Sequence, residues 1–122
     1  MRERELPMVS AAAAFFLAVF ALTVMAEDAV KVSPDKYRVV FENEKVRLLE
    51  YRDKPGDVSK LHSHPAHLVY VFDAAKRKFL FADGKTAVVD LKAGDTIWGD
   101  AYEHAGENIG TTETHALIFE LK

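Results

Sequence analysis

The chain has 122 residues, a formal net charge of −3, five histidines and no cysteine. That length suits one domain, and the lack of cysteine excludes disulfides, thiolate nucleophiles and thiolate metal ligands. A mild acidic balance, with no basic run longer than Lys76-Arg77-Lys78, argues against a nucleic-acid partner.

From Val9 to Ala26 the sequence carries no charged residue. Val24-Met25-Ala26 has the small-x-small form of an export cleavage site, and polar Glu27-Asp28 follow it. Residues 1–26 are therefore expected to be a signal peptide, which implies a periplasmic or secreted protein. The alternative is an uncleaved anchor helix over residues 9–26, since about 18 apolar residues is near the minimum for a bilayer span. Arg2-Glu3-Arg4-Glu5 adds no net side-chain charge and supports neither reading. Residues 27–36 read as a linker, and 37–122 as the folded domain.

Beyond residue 36 the pattern is one of short strands. Lys36–Phe41 and Val46–Tyr51 mix β-branched and aromatic residues around a polar connection. A Pro55-Gly56 turn leads to His62-Ser63-His64-Pro65 and the apolar run Leu68–Phe72. Phe79–Phe81 and Thr86–Val89 flank Asp83-Gly84, a pairing that predicts a hairpin with a type I′ turn. Thr96–Trp98 and Thr114–Leu121 complete the series. Strands at this spacing predict an all-β antiparallel barrel or sandwich rather than βαβ units.

Residues i and i+2 of a strand share a face, so His62 and His64 can converge on one point. His104 follows about forty residues later, in the segment Gly94–Asn108. A small barrel allows the strand bearing it to return opposite the pair. Three imidazoles around one cation form a sound ligand set.

These residues resemble the two motifs of the cupins, small jelly-roll barrels. Gly56, His62 and His64 match the opening of the first motif, while Leu68 or Val69 stands where its glutamate belongs. Gly94, His104 and Asn108 match the second, with Asp100 and Tyr102 replacing its Pro and Gly and one residue fewer between Gly94 and His104. The resemblance implies an antiparallel jelly-roll β-barrel whose metal ligands are His62, His64 and His104, without the usual carboxylate. The cofactor would be a divalent transition metal (Fe, Mn, Zn, Ni or Cu), its full charge favouring a small anionic ligand.

Six further expectations concern the surroundings and the assembly. Regular alternation turns His67 outward, but a phase shift at Pro65 would make it a fourth nitrogen. Trp98, Tyr102 and Tyr70 are candidate ligand-pocket residues. Glu103 or Glu107 is expected to brace an imidazole, and Asn108 to fix a turn. His115 shares a face with Leu117, Phe119 and Leu121, as an interior or interface histidine would. A homodimer pairing through edge strands, with Ala116–Phe119 as the edge, is the expected assembly.

Two functional classes follow from the resemblance. One is a metal-dependent enzyme, an oxygenase or isomerase or else a hydrolase, acting on a small acid. The other is a ligand-binding barrel that holds no metal and turns nothing over. The sequence offers no evident general base beside the triad.

Overall fold

The computed structural model describes residues 26–122, so the expected export segment lies outside the described residues apart from Ala26. Nine strands form two antiparallel sheets. The larger holds β1 (Tyr37–Glu42), β2 (Val46–Asp53), β9 (Thr114–Leu121), β4 (His67–Val71) and β7 (Thr96–Gly99), in the order β1-β2-β9-β4-β7. The smaller holds β3 (His62–His64), β8 (Tyr102–Asn108), β5 (Ala75–Phe81) and β6 (Thr86–Leu91), in the order β3-β8-β5-β6.

Alternation sets the inside and the outside. Along β9, Thr114, Ala116, Ile118 and Glu120 are buried, while His115, Leu117, Phe119 and Leu121 face outward. Leu49 and Tyr51 of β2 join Tyr37 and Ile118 in a small core. Fully burying a side chain such as Leu49 contributes about 1.5–3 kcal/mol.

Three expectations need correction. The first is the β5–β6 turn, where Gly84 alone has a positive φ, at 89°. A type I′ turn needs two such residues, so the four-residue connection is a type I turn closed by Gly84 N–H donating to the Phe81 carbonyl at 2.9 Å. The second is β9, which lies in the middle of its sheet between β2 and β4. Both edges of Ala116–Phe119 are therefore already paired, and that segment cannot join a second copy through its backbone. The third is the span 27–36, which is more than a connection. Asp28 accepts from the Val30 N–H and starts α1 (Ala29–Val32), whose Ala29 is fully buried against the core.

Candidate metal centre

The register of β3 on β8 builds the site. His62 pairs directly with His104, and His64 with Tyr102, so both imidazoles of β3 and that of β8 project from one face into the barrel. All three histidines are buried. Among the described residues they form the group that can hold a metal ion, each offering a ring nitrogen within 4.8 Å of the others.

Hydrogen bonds fix which nitrogens face inward. His62 Nδ1 lies 2.7 Å from the Lys60 carbonyl and His64 Nδ1 2.8 Å from the Glu120 carboxylate. A carbonyl and a carboxylate only accept, so each Nδ1 carries the proton and donates. Both Nε2 atoms therefore carry lone pairs, and they face each other at 3.1 Å. The Tyr37 hydroxyl lies 3.1 Å from His62 Nε2 and can donate to it, and a cation shared by the two nitrogens would relieve their mutual repulsion. Two nitrogens sharing a metal at the usual bond length of about 2.1 Å stand about 3 Å apart or slightly more. His104 Nδ1, in turn, is buried with no hydrogen-bond partner. A buried polar atom without a partner calls for an explanation, and an ion supplies one.

Electrostatics keep His62 and His104 neutral, as ligation requires. Burial opposes the charged form of His62 and brings its pKa down to about 4. For His104 burial and the neighbouring His62 and His64 lower it to about 2. The His104 ring also stacks on Phe79, at 5.1 Å and 5°.

The carboxylate missing from the first motif has a structural counterpart from another strand. Val69 faces the cavity and Leu68 the exterior, so the motif's glutamate position is Val69 and is apolar. Glu120, opposite both Arg47 and His67 across the sheet, reaches His64 from behind. Burial pushes the Glu120 pKa up, but hydrogen bonds from His64 and Arg47 outweigh it and hold the group below the ordinary carboxylate range. Glu103 and Glu107, expected to brace an imidazole, lie on the opposite face of β8 from His104. Period-2 alternation of β9 marks Glu120 as inward-facing, and that signal was available in the sequence.

His67 lies inside. The break at Pro65-Ala66 shifts the phase, so His67, Val69 and Val71 point inward. His67 donates from Nδ1 to the Pro65 carbonyl at 2.7 Å, and its Nε2 accepts from the Tyr102 hydroxyl at 2.9 Å. Burial raises Tyr102 to about 12 and so keeps it protonated. His67 packs against His64 and lies outside the group of three whose ring nitrogens can share one ion. Gly99 makes room for this ring, since a Cβ there would come within 2.6 Å of His67 Nε2.

Beside the triad lies a cavity of about 80 Å³, space for on the order of five waters. His64, His67, His104 and Tyr102 line it with apolar Val69, Phe79 and Ile118. Of the three candidate pocket residues, Tyr102 lines this cavity. Trp98 is 54 % exposed and Tyr70 39 %, and neither lines the cavity. Trp98 pairs with outward-facing Leu68, which settles its side of the sheet. His115 is likewise on the outer face, stacked on Phe72 and bonded to Glu50 at 2.8 Å. Asn108 fixes a turn as expected, its Oδ1 accepting from Gly110 and its Nδ2 donating to Thr112.

The barrel has the fold of solved cupin-domain structures. A cupin domain from Bordetella pertussis Tohama I superposes with a TM-score of 0.65 at 22% identity, over 82% of this chain and 99% of that one. An RmlC-like cupin family protein from Methanocaldococcus jannaschii gives 0.56 at 10% identity, over 70% and 77%. The polyketide cyclase RemF from Streptomyces resistomycificus gives 0.53 at 18% identity, over 70% and 63%. No family model and no curated protein matches the chain.

Proposed function

We propose that this chain is an exported cupin barrel that binds one divalent transition metal through His62, His64 and His104 and takes a small acid in the adjoining cavity. The observation that carries this reading is the pair of Nε2 lone pairs held 3.1 Å apart by two proton-fixing acceptors. A metal bound there would polarise a carboxylate or enolate oxygen as a Lewis acid. No carboxylate side chain lines the cavity, since Glu120 lies behind His64, and this favours an anionic guest.

The remaining chemistry belongs to the residues of the wall. Tyr102 presents a protonated hydroxyl at the cavity, and His67 Nε2 is the acceptor behind it. An isomerisation would use this pair as a relay, the Tyr102 oxygen taking a proton from the small acid as its own proton passes to His67 Nε2. Val69, Phe79 and Ile118 exclude water from the apolar side of the guest.

The test is elemental analysis of the protein purified without a His tag, beside a His62→Ala/His104→Ala double variant. The expected result is about one equivalent of transition metal in the parent and none in the variant. A parent that stays metal-free after reconstitution would leave only the barrel that binds without metal. N-terminal sequencing of the exported form tests the export reading, with Glu27 as the expected first residue.

A further inference from the structure

The segment joining the export region to the barrel touches the metal centre by two independent routes. The first is through the backbone. β3 is an edge strand, paired with β8 on one side only. On its open side Ser63, which stands between two ligands, donates its N–H to the Glu27 carbonyl at 2.8 Å, and Asp28 bridges to Ser63 in parallel.

The second route is a chain of charges. Arg47 grips both oxygens of Asp28, through Nη1 at 3.2 Å and through a second, shorter bond from Nη2. The same guanidinium donates to Glu120 Oε1 from Nε at 2.8 Å, and its Nη2 lies 2.6 Å from that oxygen as an ion pair. Glu120 Oε2 then accepts from His64 Nδ1. Exposure falls along the chain, from 30 % for the Asp28 side chain to 17 % for Arg47 and 2 % for Glu120 and His64. Each charged bond is therefore better shielded from water than the one before it.

We infer that Asp28 and Arg47 are positioning residues of the metal centre, and that docking of residues 27–33 and occupancy of the His62/His64/His104 site favour each other. Arg47 alone would neutralise Glu120. With Asp28 fixed on its far side, the guanidinium is held in one orientation, and Glu120 keeps the second oxygen aimed at His64. Partners of metal-bound histidines typically change affinity 10- to 100-fold when removed. Linkage makes the effect reciprocal: whatever factor docking adds to metal affinity, metal adds to docking.

This inference rests on the metal reading, and the experiment separates the two. Co(II) is titrated into the parent, Asp28→Asn, Glu120→Gln and the double variant, following the visible absorption of the ion. Asp28→Asn should weaken Co(II) binding roughly 3- to 10-fold and Glu120→Gln roughly 10- to 100-fold. The double variant should lose no more than Glu120→Gln does, because the two act in series. Hydrogen exchange of the amides at 31–33 should slow on Co(II) addition in the parent and not in Asp28→Asn. Imidazole ¹⁵N spectra of the metal-free proteins form the second arm: His64 should be the Nδ1–H tautomer in the parent and lose that preference in Asp28→Asn.

A merely structural Asp28 would lower the melting temperature while leaving Co(II) affinity and the His64 tautomer unchanged, and that outcome overturns the inference. Equal losses from Asp28→Asn with and without Glu120 overturn it as well. If the parent takes up no Co(II), the metal reading fails, and the ¹⁵N arm alone decides whether Asp28 sets the His64 imidazole. Arg47→Lys keeps the charge but cannot span both carboxylates, and it replaces Asp28→Asn should that variant fail to fold.

Discussion

The cavity has two polar ends, and they are built on opposite principles. At one end Arg77 donates to Asp53 at 2.6 Å, to Thr114 at 2.9 Å and to the Tyr51 hydroxyl at 3.0 Å, while Asn108 donates to the second oxygen of Asp53 at 3.0 Å. Charge meets charge and each acceptor is used. At the other end two imidazole lone pairs face each other, and His104 Nδ1 is the one buried side-chain nitrogen or oxygen among the described residues with no partner. A polar cluster that satisfies itself holds the barrel closed. One that leaves lone pairs converging on a point holds something else. The contrast also shows why Arg77, though it lines the cavity, is no strong anchor for an anion: Asp53 already neutralises it.

This contrast predicts different failures at the two ends. Asp53→Ala leaves the buried Arg77 guanidinium without its counter-ion, which typically costs 3–5 kcal/mol, roughly, and is the largest stability loss expected from one substitution here. Urea denaturation measures it, and the folded fraction should still bind metal with parental affinity. His62→Ala with His104→Ala should do the reverse. Metal binding is lost by more than about 100-fold, whereas metal-free stability changes far less, since this end satisfies itself poorly before any ion arrives. Equal loss of stability from both changes would erase the distinction between the ends.

Acid is the next lever, and it acts on the histidine end. Above about pH 6.5 neither the folded nor the unfolded chain protonates His62 or His104, and their contribution to stability is complete. Below it the unfolded chain takes up protons that the buried rings resist, so stability falls with falling pH. The loss runs down to about pH 4 for His62 and to about pH 2 for His104. For His62 it amounts to at most ~3 kcal/mol. Urea midpoints of the metal-free protein between pH 7 and pH 4 should decline, and the His62→Ala/His104→Ala variant should flatten that slope.

The two ends were not equally legible in the sequence. His62, His64 and His104 stood out because strand alternation and motif spacing are local, and a β3–β8 register that pairs His62 with His104 is what those spacings require. Among the described residues seven strands were read from runs of β-formers, and β3 and β8 only from the histidines they carry; β3 is three residues long and β8, Tyr-Glu-His-Ala-Gly-Glu-Asn, has Tyr102 as its one strong β-former. The inward phase of Glu120 was readable from β9, but its partner and that of Arg77 were not, because they lie 56 and 24 residues away and only the sheet order brings them together. Tyr70 was misplaced for a local reason. The phase of β4 depends on how many residues the Pro65 break consumes, and a shift of one turns every side chain over.

The same phase argument supplies the most delicate test of the metal end. Val69, not Leu68, projects into the cavity with His64 and His67, so Val69→Glu would return a carboxylate to the place where the motif carries one. A fourth, anionic ligand should tighten divalent metal binding, by roughly 10-fold, and shift the visible spectrum of bound Co(II). It should also weaken binding of small carboxylates to the metal-loaded barrel, because the ion's charge would then be partly spent within the protein. Leu68→Glu places the same charge on the outer face, beside Trp98 and Phe119, and should leave metal binding where it was. Without metal, a carboxylate at position 69 lies against Ile97 and Ile118 and is destabilising, so the variant's melting temperature should recover on metal addition by more than the parent's. If the Leu68 and Val69 variants behave alike, the inward phase of β4 is wrong, and with it the location of the carboxylate the barrel has lost.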